Sequence, residues 1–491
     1  MKNIVLSFLL IIIVGCASKK VNTEWVSTTE STPWEIKEIE GLTSASETES
    51  IEIFTRRPLQ EIEGFGSCFN ELGWTSLSAL SAADRSAIMK ELYEPGTGAG
   101  FTIGRMPIGA NDFSRDWYSY DETEGDFTMK NFSIENDKQT LVPFIKAAQK
   151  YNKDLKLWAS PWSPPQWMKY NRHYALNKVP TVIKNTENGI TEKQLGKEGT
   201  DMFIQKPEYF DAYALYFEKF IEAYKTQGIK ISMVMPQNEF NSAQWYPSCT
   251  WTKEGLIKFI NVLAPRMKKV GVQTFFGTLE RPDKNLFSDV YKEATENING
   301  IGLQWAGKEA VEVIHKQYPN LKIYQSEHEC GNGKNDWDYA VYSWDLMKHY
   351  FMNGTNAYLY WNTSLLKGGV SRWGWKQNSL LSIDASNKTY KWNNEYYLMK
   401  HLSHFVKPGS RMLETSSTAV VNHRNDVLGF WKGDLMSNKE NLLAFKNSDG
   451  SIVVVVYNES SSLKKLNIKI NNTVISPELE PKSFNTFLIK Q

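Results

Sequence analysis

Two glutamates in this chain stand where a pair of carboxyls could act together. Ile231-Ser232-Met233-Val234-Met235 is an apolar, strand-like run that delivers Pro236-Gln237-Asn238-Glu239, and Leu321-Lys322-Ile323-Tyr324-Gln325-Ser326 delivers Glu327. One carboxyl held protonated and one held ionised, ~5–5.5 Å apart across an acetal, cleave a glycosidic bond with retention of configuration. The first protonates the leaving oxygen and the second attacks the anomeric carbon. A single acidic residue is usually a solvated surface group. The Asn-Glu dipeptide alone says little, since it also occurs at Asn70-Glu71, Asn394-Glu395 and Asn458-Glu459. Placement at strand ends separates Glu239 and Glu327 from that background. Being 88 residues apart, they become partners only in a fold that turns two strand ends toward each other.

Such a fold is written into residues 60–404. Strand-like runs at 62–69, 101–109, 155–162, 231–239, 272–279, 300–306, 322–327 and 357–365 alternate with helical stretches. After Pro207 the apolar residues Phe210, Tyr213, Ala214, Phe217, Phe220, Ile221 and Tyr224 recur every three or four positions, one face of a helix. Residues 136–151, 253–269 and 337–352 behave similarly. Eight strands, each followed by a helix, predict a closed parallel (β/α)8 TIM barrel with functional groups at the C-terminal strand ends. On this count Glu239 ends strand four and Glu327 strand seven. The alternative is an open doubly wound sheet, which normally carries a glycine-rich phosphate loop after its first strand. Gly64-Phe65-Gly66 lacks the third glycine and the helix start.

Beyond about residue 405 the pattern becomes short alternating or apolar runs at 427–431, 442–446, 451–457, 463–470 and 484–489, with a hairpin signal at Asp449-Gly450. Residues 405–491 therefore read as an antiparallel β-sandwich packed beside the barrel. The extended stretch 33–59 adds strands to it from the other end of the chain. Few aromatics sit on the outward positions of these strands, which favours a buttress over a sugar-binding module.

The first fifteen residues read as an address. Lys2 precedes an apolar run over 4–14, short for a bilayer span, ending in Ile13-Val14-Gly15-Cys16. This resembles a bacterial lipobox, which implies cleavage before Cys16 and lipidation of its thiol. An exported lipoprotein at the periplasmic or outer face of an outer membrane follows; an ordinary signal peptide with a chance cysteine is the alternative. Residues 16–32 are polar and read as a tether.

Composition narrows the partners. The 56 Lys+Arg and 55 Asp+Glu leave a net charge of +1, so no basic field exists to attract nucleic acid. The 17 Trp, 23 Tyr and 24 Phe mostly enlarge cores, but flat rings also suit the C–H faces of sugars. Cys68, Cys249 and Cys330 show neither a disulfide framework nor zinc spacing, and His401 and His404 have no third ligand nearby. No metal, cofactor or protein partner is inferred.

Several short motifs follow one another along the chain: Gly64-Phe65-Gly66, Arg105-Met106-Pro107-Ile108-Gly109 with Asp112-Phe113-Ser114, and Ala159-Ser160-Pro161-Trp162-Ser163-Pro164-Pro165. Gln237-Asn238-Glu239, Ser326-Glu327, Trp361-Asn362, Gly368-Gly369 and residues 401–409 complete the set. Their order and spacing resemble glycoside hydrolase family 30, which includes lysosomal glucosylceramidase and microbial endo-β-1,6-glucanases.

The resemblance implies Glu239 as general acid/base and Glu327 as nucleophile. The serine before Glu327 favours it over Glu329. It further implies Asn238 on the sugar 2-hydroxyl, Asp112 and Trp162 binding the reacting ring, and Trp361 as an apolar floor. Arg105 would hold Glu327 ionised, Tyr246 would stand near the nucleophile, and Trp305 would line the site. Where glucosylceramidase has His-Trp at the end of strand six, this chain has Gln304-Trp305, and its Arg372–Asn378 loop carries Trp373 and Trp375. Both features resemble the β-1,6-glucanase branch and favour a β-glucan substrate over a ceramide glycoside. Trp373 and Trp375 would either stack on extended sugar or pack their loop down. The implied activity is a retaining β-glycosidase, with an endo-β-1,6-glucanase first. An exo-acting β-glucosidase, glucosylceramidase or xylan-cleaving enzyme follows, and a surface glycan-binding lipoprotein is the non-enzymatic alternative.

Overall fold

A computed structural model describes residues 22–39, 49–420 and 440–490. The expected leader, Cys16 and the expected strand at 427–431 lie outside the described residues.

The barrel strands, in chain order, are β1 (Gly64–Cys68), β2 (Ile103–Pro107), β3 (Lys156–Ser160), β4 (Ile231–Val234), β5, β6 (Gly300–Gln304), β7 (Lys322–Glu327) and β8 (Ala357–Asn362). β5 comes in two pieces: Gln273–Thr274 pairs with β4 and Phe276–Leu279 pairs with β6. All neighbours run parallel, and β8 returns to β1 with Ala357 opposite Gly64 and Tyr358 opposite Phe65, closing the cylinder. The eight-stranded TIM barrel is therefore formed. β1, β2, β6 and β8 are buried continuously on both faces.

The helix Pro207–Thr226 opens on a proline, whose missing N–H costs nothing there, and buries all seven apolar residues of its predicted face. Helices Lys253–Lys269 and Trp337–Met352 are capped by the side chains of Thr252 and Asp336. The helix expected over 136–151 is shorter. A 3-10 turn covers Asp137–Gln139, the backbone breaks at Thr140 (φ −135°), and the α-helix is Leu141–Gln149. Pro143 explains the break: it fits the first turn of a helix starting at Leu141 but would clash inside one starting earlier.

The second unit is built on a nine-stranded sheet, in spatial order Glu35–Lys37, Asn22–Thr28, Ser483–Lys490, Ile452–Asn458, Leu442–Lys446, Ser410–Ser417, Ser50–Ile62, Asn467–Ile470, Thr473–Ile475. Side-chain alternation divides its two faces. Trp25, Ala444, Val454, Val456, Phe487 and Ile489 enter a separate core, while Val26, Leu443, Phe445, Val453, Val455 and Phe484 join the core of the barrel. Phe484 lies against Trp337 and Trp344 at ring separations of 5.1 and 6.1 Å, locking the sheet to a barrel helix. His401 is buried at the same joint between the hydroxyls of Thr28 and Thr486, a packing role.

Two sequence expectations change. The polar stretch read as a tether over 16–32 contains Asn22–Thr28, an antiparallel strand with Thr23 opposite Ile489 and Trp25 opposite Phe487. Its apolar residues are few, but Trp25 and Val26 are both buried, and the Trp25 indole donates to Asn485 Oδ1 at 3.1 Å. Its pairing partner sits at the far end of the chain, where local composition gives no hint of it. The strand Ser50–Ile62 also runs through the expected boundary at residue 60.

Removing Trp25 should test how much the sheet's own core depends on this strand. Trp25→Ala is expected to cost about 3–5 kcal/mol, read as a lower urea midpoint at unchanged slope.

Candidate active site

The chain leaving β4 is stitched to its neighbours before it presents any chemistry. The Asn238 N–H donates to Pro161 O at 2.7 Å, beyond β3, and the Thr278 N–H of β5 donates to Gln237 O at 2.6 Å. The Glu239 N–H donates to Thr278 Oγ1 at 2.9 Å. These ties hold Glu239 at φ +48°, a left-handed conformation unusual for glutamate, and Trp305 beyond β6 shares that φ.

Arg105, on β2, is fully buried, and its guanidinium reaches across the barrel mouth. Nη1 donates to Glu327 Oε2 at 2.7 Å and to Ser326 O at 3.1 Å; Nη2 donates to Asn238 Oδ1 at 2.6 Å and Ser160 Oγ at 3.0 Å. Trp305 Nε1 donates to the other Glu327 oxygen at 3.2 Å. On the opposite side, Tyr246 donates to Glu239 Oε2 at 3.0 Å and Gln304 Nε2 donates to Glu239 Oε1 at 3.1 Å. Behind the guanidinium lie the rings of Trp162, Trp158 and Trp361, with Cζ 4.4, 4.9 and 5.5 Å from their centroids. Trp361 stacks on Trp162 at 5.1 Å and its Nε1 donates to Asp112 Oδ2 at 3.2 Å.

All nine residues expected around the site thus belong to one contact network: Arg105, Asp112, Trp162, Asn238, Glu239, Tyr246, Trp305, Glu327 and Trp361. Two expectations are corrected in detail. Trp162 and Trp361 are 1% and 0% exposed and stack on each other beside Arg105, so the face of Trp162 backs the cation and Trp361 does not form an open floor for a sugar. Glu329 is spent elsewhere, on Lys308 Nζ at 2.7 Å and the Tyr342 hydroxyl at 2.7 Å.

The charges around the two carboxyls differ in sign. Burial pushes Glu239 well above the usual carboxylate range, and the charges of Glu280, Glu327 and Asp112 push it further in the same direction. Burial raises Glu327 too, but the Arg105 cation opposes it, followed by the hydrogen bond from Trp305. Glu280 was missed by the sequence reading. It directly follows β5, is buried, pairs with Arg281 at 2.6 Å, and is itself pushed by burial up to about 7. The strand-end rule that singled out Glu239 and Glu327 also applies to it; Gln304, noted in the sequence only for differing from glucosylceramidase, proves to be a hydrogen-bond partner of Glu239.

The mouth is rimmed by half-buried aromatics. Trp375 stacks on Trp245 at 4.7 Å and meets Tyr246 and Trp305 edge-on, each at 6.0 Å. Trp373 is buried against Trp117 at 4.5 Å. The loop tryptophans therefore divide the two expected roles: Trp373 packs the loop, and Trp375 faces the site.

The family model "Glycosyl hydrolase family 30 TIM-barrel domain" matches residues 62–406, and the model of the family's beta sandwich domain matches residues 434–487. The chain belongs to glycosyl hydrolase family 30. Among curated relatives, "Putative glucosylceramidase 1" of Caenorhabditis elegans is 28% identical over 440 residues, covering 83% of this chain and 76% of that protein. "Endo-1,6-beta-D-glucanase BGN16.3" of Trichoderma harzianum is 26% identical over 422 residues, covering 81% and 78%. Among solved structures, SrfJ from Salmonella typhimurium superposes with a TM-score of 0.78 at 22% identity, covering 96% of this chain and 99% of that one. The endo-beta1,6-glucanase BT3312 gives 0.75 at 24%, covering 95% and 98%. These two likenesses extend over barrel and sandwich together. As a family 30 member the chain is a glycoside hydrolase, acting on a glycan.

The two glutamates of the Ser-Glu-His-Glu run should separate cleanly. Glu329→Gln removes the counter-charge of buried Lys308 and is expected to cost about 3 kcal/mol of stability, measured by urea unfolding. Its loss of activity should be small beside that of Glu327→Gln.

Proposed function

We propose that this family 30 enzyme is a retaining β-glycosidase that cleaves β-linked glucan by double displacement, with Glu239 as acid/base and Glu327 as nucleophile. The observation that carries this reading is the opposed electrostatics of the two carboxyls. Glu327 is bound to a buried guanidinium, which favours its anion, while burial and then the nearby charges of Glu280, Glu327 and Asp112 favour the protonated form of Glu239. In the first step a Glu327 oxygen bonds to the anomeric carbon as the glycosidic C–O bond breaks. The bonding pair goes to the leaving oxygen, which takes the Glu239 proton. In the second step Glu239 removes a proton from water, which displaces Glu327 and restores both carboxyls. Asn238 Oδ1 is already occupied by Arg105, Thr278 and Gln304, which leaves its NH2 to donate to the sugar 2-hydroxyl. Asp112, held in place by the Nε1 donor of the buried Trp361, accepts sugar hydroxyls.

For the substrate, the best reading is an endo-β-1,6-glucanase. It is supported by relatives named for that activity and by the aromatic rim of Trp245, Trp305 and Trp375, which suits an oligosaccharide better than a lipid tail. An exo-acting glucosylceramidase-type activity is the second reading, favoured by the relatives of that name. The lipobox-like Ile13-Val14-Gly15-Cys16 supports action outside the cytoplasm, with the enzyme anchored through Cys16 in an outer membrane.

Hydrolysis of β-1,6-, β-1,3- and β-1,4-glucans should give mixed short oligosaccharides early from the β-1,6 polymer alone. Release of glucose only would select the exo reading, and NMR of the first product should show the β-anomer. Glu327→Gln should lower kcat on the order of 10⁴-fold while oligosaccharide binding survives; unchanged turnover refutes the assignment.

The pH profile of kcat/KM should be bell-shaped. Activity is lost at low pH as Glu327 takes up a proton and at high pH as Glu239 loses its own, the two limbs belonging to the coupled pair. Glu280→Gln removes one negative charge beside Glu239 and should move the basic limb to lower pH.

A further inference from the structure

Gln304, the last residue of β6, is fully buried and uses its amide in four directions. Nε2 donates to Glu239 Oε1 at 3.1 Å and to Asn238 Oδ1 at 3.3 Å. Oε1 accepts from Ser326 Oγ at 2.9 Å and from Arg105 Nη1 at 3.4 Å. The amide cannot turn over. A flip would set its NH2 against the guanidinium, which has no acceptor, and its oxygen against a carboxyl and an amide oxygen.

We propose that Gln304 is a positioning residue that decides which oxygen of Glu239 carries the proton given to the leaving group. This rests on Glu239 being the general acid. An amide NH2 only donates, so Oε1 must remain an acceptor in both protonation states. Oε2 faces the Tyr246 hydroxyl, which both donates and accepts. It donates to the ionised carboxylate and can accept or turn aside when Oε2 is protonated. The proton is thereby confined to Oε2, and the leaving oxygen must approach from that side. On transfer, the O–H bond of Oε2 breaks and a new O–H bond forms on the leaving oxygen. Gln304 neither gains nor loses a proton. The same side chain also touches Arg105 and Ser326, the partners of Glu327, so the acid is aligned to the frame that holds the attacking group.

Leaving-group dependence tests this, because a good leaving group needs no proton. Gln304→Met keeps the length of the side chain and removes the donor. Its kcat/KM on phenyl β-glucoside should fall roughly 10- to 100-fold further than on 2,4-dinitrophenyl β-glucoside. The loss should lie in kcat, and Gln304→His, which restores an N–H, should recover part of it. Equal losses on both substrates, or no loss on phenyl glucoside, overturn the proposal. Should Gln304→Met not fold by thermal melting, Gln304→His alone is compared with wild type on the two glucosides, and an unaltered ratio with uniformly poor activity overturns it. Glu239→Gln serves as the premise check: it must show the same substrate split more strongly. If it does not, the acid assignment itself fails and the role of Gln304 falls with it.

Discussion

A guanidinium with no exposure to water sits at the mouth of this barrel, and the site is arranged around the need to satisfy it. An isolated buried cation would cost many kcal/mol, and breaking such a pair typically costs about 3–5. Arg105 is compensated by one carboxylate, three side-chain or backbone oxygens within 3.1 Å, and the faces of three indoles. Those partners come from β3, β7, β8 and the segment after β4, so placing one charge fixes the mutual position of several strand ends. The fork geometry also fixes chemistry. One nitrogen takes Glu327 and the other takes the oxygen of Asn238, which orients the Asn238 amide and, through Gln304, Glu239.

This constraint needs a closed sheet. In an open sheet, strand ends four and seven would lie in a row, with the strands between them interposed. In the cylinder they face one another across a mouth narrow enough for one arginine and one glutamine to touch partners of both. The nine-stranded sheet holds the cylinder from outside, sending one set of alternating side chains into the barrel core and the other into its own. Its strands come from both chain ends, so the terminal segments are tied to each other and, through Phe484 and His401, to the barrel helices.

The parts of this arrangement legible in the sequence are those encoded locally. Parallel strands buried on both faces appear as apolar runs, and the helix after Pro207 repeats its apolar residues at helical spacing, so the eight barrel strands and their order could be read. The roles expected of Glu239 and Glu327 came from strand-end position together with family resemblance. What escaped depends on contacts between distant residues. Asn22–Thr28 is a mostly polar segment made a strand by pairing with Ser483–Lys490, at the other end of the described residues. The covered face of Trp162 follows from Trp361 and Arg105, neither adjacent to it in sequence. Glu280 was overlooked because a carboxyl next to an arginine reads as an ion pair, and Gln304 was seen only as a departure from glucosylceramidase, because a neutral amide announces no chemistry until its neighbours give it a role.

The network also has an informative incompleteness. Asn238 Oδ1 has three donors and both Glu327 oxygens have one each, yet Asp112 Oδ1 is buried with no hydrogen-bond partner among the described residues. A buried acceptor left open is costly unless something supplies the missing bond. Burial and the charge of Glu327 push the Asp112 carboxyl well above its usual range, so ionising it unaided is unfavourable. Donation from sugar hydroxyls would relieve both penalties at once. On the proposed reading, binding and organisation are linked: a sugar hydroxyl that donates to Asp112 completes a polar atom whose neighbours are already held in place. A glycan presenting its hydroxyls there would gain that hydrogen bond in a site whose reacting groups are already oriented.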